Sequence, residues 1–366
     1  MKRKILCGAF LSVVLATTVF AQLDLQPAAI VRLTRSEPIN VKQFRTEVEQ
    51  TVRTSFYQQY GRQPTEAEVL TACRSLSASD KRQVLDMMIN ERLALQAAAR
   101  DGIAITDNQL NQQVQQLRAQ MAQQVGRQPT DAEFAEAIRS ETGLELTAFR
   151  EQLRKQMVTQ QYLMTKKQAL ISSIKTPTNA EISNIYNLNK TQFVRPETVR
   201  FSMIQIPYGT DRTASRRLAE RLVADIGSNP SRFDEAVQKS QAPNSGYQAG
   251  DAGYLPRNSQ AQQLVGTDFI NTAFSLKQGE VSKLIEGNGG YQIIKVTETY
   301  DMKALDLDDI AQLGSSITVR QYIGNTLLQE EQQRVLTQAS NELVAELRAG
   351  NPPPYQIMEA NINITW

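Results

Sequence analysis

Residues 197–298 constrain the fold most, because strand patterns bracket a helical middle. Val199, Phe201, Met203 and Gln205 fall on one side of a period-two alternation, and Arg200, Ser202, Ile204 and Ile206 on the other. That is a strand with two unlike faces. At the far end, Gly289-Gly-Tyr-Gln-Ile-Ile-Lys-Val296 reads as a second strand. Between them lie helical patterns at 214–227 and 232–241, a Gly250-Asp-Ala-Gly253 turn, and a third helix within 267–282. This order predicts a small α+β unit. Gly246, Gly250 and Gly253 suit turns rather than phosphate binding, since no Walker sequence and no strand-to-helix GxGxxG accompanies them.

The chain has 366 residues, more than one core usually organises, so further domains are expected. Met1-Lys-Arg-Lys4, the apolar Ile5–Phe20 and the small-residue ending Val19-Phe-Ala21 read as a secretory leader cleaved after Ala21. Its apolar run is too short for a membrane span, so no stable span is expected once it is removed. Removing the leader's three bases from the chain's 40 leaves 37 against 38 acids. A balanced chain without a basic cluster gives no sign of nucleic-acid binding. Cys7 lies in the leader, which leaves Cys73 alone; it is expected to pack as a small apolar residue.

Residues 22–176 carry mostly helical patterns. A short strand is expected at Ala29–Thr34, followed by a helix from Val41 capped by Asn40, with Gln43 returning the bond. Leu85, Ile89 and Leu93 mark one stripe over 80–100, and Leu146, Phe149, Leu153, Met157, Met164 and Ile171 mark another over 145–174; both are expected to be packing faces. One internal echo stands out. Gly61-Arg-Gln-Pro-Thr-Glu-Ala-Glu68 recurs as Gly126-Arg-Gln-Pro-Thr-Asp-Ala-Glu133, and Pro177-Thr-Asn-Ala-Glu181 repeats the second half. Each is Thr-x-x-Glu, a helix-start box behind a Gly that ends the preceding helix or a Pro that stops it.

The 197–298 stretch resembles the parvulin-type peptidyl-prolyl isomerase domain in three ordered landmarks: Gly250-Asp-Ala-Gly253, Phe274–Ser282 and the closing Gly-Tyr-Gln-Ile-Ile-Lys-Val strand. The resemblance places a His of the family's site at Met203, a second at Gln292, and an Asp or Cys at Ala242. The whole chain contains no His. Met and Ala cannot replace the polar groups, and Gln exchanges no proton near neutrality. Rotation about a peptide bond faces a barrier of roughly 18–20 kcal/mol, so a degenerate, non-catalytic site used to hold peptide is expected. The resemblance also assigns Phe269, Phe274 and Leu264 to an apolar proline groove; with Met203 and Gln292 they are the peptide-groove candidates. Filling the core of a small domain is an equal reading of the same side chains. Without His, no Ser-His or Cys-His nucleophile pair and no ordinary zinc-protease motif is available.

More widely, Gln83–Leu93, Ala97–Gly102, Ile105–Leu110 and Leu146–Arg150 ahead of one parvulin unit resemble the SurA and PrsA group of extracytoplasmic folding factors. The resemblance implies a mainly α-helical chaperone region, completed by the C-terminal helix and strand, plus an α+β parvulin-like domain. The expected layout is a leader at 1–21, the helical domain at 22–176, a linker helix at 177–196, the parvulin-like domain at 197–298, and a C-terminal helix and strand at 299–366. In that layout Ile362–Trp366 would pair with Ile30–Thr34. The implied function is periplasmic or otherwise extracytoplasmic binding of unfolded exported polypeptides, outer-membrane proteins among them, without cofactor, metal or nucleotide. A weak isomerase and an envelope scaffold are the alternatives.

Overall fold

The computed structural model describes residues 23–227 and 229–362. The expected leader, Cys7, the Ala21 cleavage site and residues 363–366 lie outside them. The chain divides into two units, Met1–Ile174 with Gln332–Trp366, and Lys175–Glu331.

The first unit opens with β1 (Pro27–Val31) and β2 (Glu37–Asn40). Five helices follow: α1 (Val41–Tyr60), α2 (Glu66–Ser75), α3 (Ala78–Arg100), α4 (Asp107–Val125) and α5 (Asp131–Thr142). α6 (Leu146–Lys166) and the one-turn α7 (Gln168–Ile171) complete this part. Next come α8 (Asn179–Leu188), β3 (Val194–Arg195), β4 (Thr198–Pro207), α9 (Arg212–Ile226) and α10 (Pro230–Lys239). β5 (Gln248–Pro256), α11 (Ser259–Val265), α12 (Thr267–Ser275), β6 (Ile285–Glu286), β7 (Gly290–Tyr300) and β8 (Lys303–Ala304) finish the second unit's sheet region. α13 (Val319–Arg348) and β9 (Tyr355–Ile357) close the chain.

Local sequence explains where the helices start. α1 to α5 and α8 all begin with a reciprocal capping box: Asn40 with Gln43, Thr65 with Glu68, Ser77 with Asp80, Thr106 with Gln109, Thr130 with Glu133 and Thr178 with Glu181. Each box satisfies two amide groups that the helix itself leaves unpaired, and losing such a cap costs about 1 kcal/mol.

In the helical unit, Leu85, Ile89 and Leu93 of α3 are fully buried among Phe44 and Val48 of α1, Ala28, Ala29 and Val31 of β1, and Tyr162 of α6. Cys73 is buried in the same core, and desolvation pushes its thiol pKa up. Gln96 is buried yet satisfied: its oxygen accepts from the Thr34 N–H at 3.0 Å and its amide donates to Glu37 at 3.2 Å. The antiparallel sheet has the order β2-β1-β9.

Two expectations are corrected here. The strand that joins β1 is Tyr355–Ile357, paired with Ala29–Val31, rather than one starting at Ile362. Ile362 instead follows a 3-10 turn and is buried in this core. Arg348 fixes the approach of β9, since its guanidinium bonds Asp86 and Asn90 and lies 4.8 Å over the Tyr355 ring. The expected long helix over 145–174 breaks at Lys167, whose ammonium bonds Glu346 and Glu342 at 2.6 and 3.2 Å.

The second unit holds an antiparallel sheet of order β5-β4-β7-β6. α9 and α10 cover one face, where Ile204, Ile206, Tyr291 and Ile293 meet Ala219, Ile226 and Phe233. α11 and α12 cover the other, where Val199, Phe201, Ile294 and Val296 meet Ala261, Phe269, Ile270 and Ala273. Gly250–Gly253 is a bulge inside β5, not a turn between elements. Phe201 pairs with Gly253 and Ser202 with Asp251, leaving Ala252 as the extra residue. Gly253 takes φ 81°, a left-handed value that favours glycine, and its N–H bonds the Asp251 side chain. α8, expected as a linker, packs Ile182 and Tyr186 in a cluster with Leu305, Val319 and Ile323.

Candidate functional site

The candidate site lies on the α11/α12 face of the second unit's sheet. Antiparallel register places Met203 opposite Gly250 on β5 and Ile294 on β7. One pleat along, Gln205 stands opposite Gln248 and Gln292. Because β-strand side chains alternate, Met203, Gln205 and Gln292 share one face. The Gln292 amide donates to the Gln205 oxygen at 2.9 Å.

Two glycines press on this pair. A Cβ at Gly287 would lie 3.2 Å from the Gln292 oxygen, and one at Gly290 would lie 2.2 Å from the Ile206 carbonyl and 2.9 Å from the Gln205 amide. Real atoms cannot occupy the Gly290 position, so glycine is required there by close approach.

Apolar side chains complete the face. Phe269 is buried and meets Phe201 edge-on at 5.5 Å. Phe274 is half-buried, packs with Met203, Val265 and Leu276 against the same cluster, and has Arg257 5.2 Å over its ring. Leu264 points away into solvent, 82% exposed. Ala242 is exposed in the turn between α10 and β5, off the sheet face. The structure thus brings together Met203, Gln292, Phe269 and Phe274, and leaves Leu264 and Ala242 outside. Gln205 is the member that sequence reasoning did not single out; its place two residues after Met203 put it on the right face, but only the pairing register sets it against Gln292.

At the other end of β4, Arg200 bonds Asp251 at 2.7 Å and Glu298 at 2.9 Å, and Glu298 accepts from the Tyr300 hydroxyl. The hydrogen bond from Arg200 holds Asp251 low, hydrogen bonds from Tyr300 and Arg200 hold Glu298 low, and the Glu298 contact pushes Tyr300 up to about 12. These groups keep their charge states through neutrality. A neutral amide pair and a thioether can bind polar and apolar parts of a peptide but shuttle no proton.

The helical unit offers a second feature. α4 and α6 border a groove of about 840 Å³, lined by Ile105, Leu117, Phe149, Leu153, Met157 and Met164 and by seven glutamines. Gln160 and Met164 also line a groove of about 670 Å³ bordered by α6, α7 and α13. The stripe expected only to pack is therefore partly open; Met164 is 43% exposed. Among the described residues no cluster of three His, Cys, Asp or Glu forms a metal-ligand set, and no helix is long and apolar enough to cross a membrane.

Comparison with known proteins agrees with this layout. Residues 177–312 match the PPIC-type PPIASE domain, and residues 6–163 match the SurA-like N-terminal domain. The chain is SurA/PrsA-like: a mainly helical SurA-like region combined with one parvulin-type α+β domain. It is 31% identical over 227 residues to the chaperone SurA of Alcanivorax borkumensis, a match covering 60% of this chain and 47% of that protein. With the foldase protein PrsA of Clostridium kluyveri it shares 25% identity over 287 residues, covering 76% of this chain and 80% of that one. The matched stretch therefore spans about half the length of the Alcanivorax SurA. Among solved structures, a SurA-like chaperone of Campylobacter jejuni aligns with 91% of this chain and 100% of its own at 12% identity and TM-score 0.36. PrsA from Bacillus subtilis aligns with 78% and 89% at 20% identity and TM-score 0.23.

Proposed function

We propose that this protein is an extracytoplasmic chaperone that holds unfolded exported polypeptides, outer-membrane proteins among them, and that its parvulin-type unit binds peptide without isomerising it. The observation that carries the reading is the Gln205–Gln292 amide pair beside Met203. These side chains stand where the parvulin resemblance puts two histidines, and they are already bonded to each other. The names of the relatives, a chaperone SurA and a foldase PrsA, support the polypeptide-binding part. The basic and apolar start of the chain, ending at Ala21, supports export. Release then follows from modest affinity and from folding of the client elsewhere, with no nucleotide or metal involved.

The test is proline-limited refolding of a model protein with the purified mature chain in catalytic amounts, run beside aggregation of an unfolded β-barrel protein. The expected result is an unchanged slow phase with suppressed aggregation. A dose-dependent acceleration of the slow phase would overturn the non-catalytic reading, and undiminished aggregation would overturn the chaperone reading.

A further inference from the structure

The echoed octapeptides build the same corner twice. In each, a left-handed Gly (Gly61, φ 67°; Gly126, φ 73°) ends a long helix and a Thr box starts a short one. In each, the Arg after the Gly bonds both the box glutamate and the carbonyl next to it: Arg62 to Glu68 and Gln63, Arg127 to Glu133 and Gln128. The correspondence extends beyond the echoed letters, because Arg53 bonds Glu66 and Arg118 bonds Asp131 at matching positions. α1–α2 and α4–α5 are therefore two copies of one hairpin, offset by 65 residues.

That register shows what differs. Phe44 and Val48 of α1 are fully buried in one core with β1 and α3. Their counterparts on α4 are Gln109 and Gln113, and both line the open groove beside α6. A face that the first copy covers with the chain's own strand is left uncovered and amide-bearing in the second.

Resting on the chaperone reading above, we infer that the α4–α6 groove takes an extended, uncharged polypeptide segment, whose main chain bonds the α4 glutamines while its side chains sit on Phe149, Leu153 and Met157. Three observations fix the occupant. No charged side chain lines the groove, so a charged segment would lose hydration without gaining a counter-charge. Among the described residues no partner holds the side-chain amides of Gln112, Gln113 or Gln116, and Gln109 uses only its oxygen, in the cap of its own helix. Finally, Gln109, Gln113 and Gln116 step roughly 4.5–6 Å along the helix axis, near the roughly 6.6 Å at which a strand repeats the polar groups of one edge. A helical ligand would offer no such groups, since its own backbone satisfies them.

The probe is a fluorescent, uncharged peptide of about ten residues with alternating apolar and polar positions, read by anisotropy on the full mature chain. Gln109→Leu/Gln113→Leu/Gln116→Leu, and alternate N-methylation of the peptide, are each expected to weaken binding about tenfold or more, as loss of two or three hydrogen bonds implies. Raising salt from about 0.05 to about 0.5 M is expected to change native binding less than about twofold. The Gln→Glu triple variant keeps helix propensity and removes the donors, so it is expected to weaken binding similarly if the Leu variant folds poorly. Unchanged binding in correctly folded variants, or indifference to N-methylation, would overturn the groove while leaving intact a chaperone reading supported by suppressed β-barrel aggregation. No peptide binding and no suppression together would overturn both.

Discussion

The two hairpin copies share their corners but not their tasks. In the first, the helix before the corner buries Phe44 and Val48 against β1 and α3; in the second, the same positions carry Gln109 and Gln113 at the edge of a groove. Corner geometry follows from a few local residues, whereas the duty of the helix follows from a handful of side chains on one face. A duplicated framework can thus keep its joint and exchange a core for a binding surface.

The largest effect should come from the buried side of this comparison. Phe44→Ala is expected to cost about 3–5 kcal/mol in urea unfolding of the helical unit, through lost burial and a residual cavity. Its counterpart Gln109→Ala should change stability by no more than about 0.5 kcal/mol. Equal losses would mean that the second face is also a core. Gly61→Ala and Gly126→Ala come next. Neither site has a neighbour within 4 Å of an added Cβ, so each should lose about 1–2 kcal/mol from backbone conformation alone. A marked inequality between the two would break the equivalence of the corners.

The smallest effect concerns acid. Hydrogen bonds from Arg62 and Thr65 lower Glu68 to about 2, and those from Arg127 and Thr130 lower Glu133 to about 2. A carboxylate whose folded pKa is depressed contributes its stability above the ordinary value and loses it as pH falls through the folded one. Both corners should therefore hold above pH 4.5 and loosen together toward about 2. Carboxyl-carbon NMR should show the two glutamates titrating in step, and Arg127→Lys should raise Glu133 alone.

Much of this was legible in the chain itself. The boxes at Thr65, Thr130 and Thr178, the Asn40 cap and the two faces of β4 depend on residues within a turn or a pleat of each other. The Gln205–Gln292 contact was not legible, because it depends on register between strands nearly ninety residues apart. β9 was missed for a related reason: Ile362–Trp366 alternates more plainly than the short Tyr355–Ile357, but Arg348, held by Asp86 and Asn90, draws the shorter stretch to β1. Leu264 and Phe274 are both apolar residues on short helices, and helical phase alone puts one in water and the other on the core. The α4 glutamines looked like an ordinary polar face until the hairpin register set them against Phe44 and Val48.

The sheet order β5-β4-β7-β6 has a consequence for how the chain can be cut and joined. β4 and β7, the first and last long strands of the parvulin-type unit, are neighbours, so Thr198 lies opposite Tyr300. Just outside them Val194–Arg195 pairs with Lys303–Ala304. The hundred-odd residues between are thus a closed lobe on a narrow two-ribbon stalk, with both of its ends at one spot. Such a lobe can be spliced out with a short Gly-containing turn bridging Arg195 to Lys303, or exchanged for another of the same stalk width. The number of lobes a chain of this kind carries is therefore free to vary without redrawing the stalk.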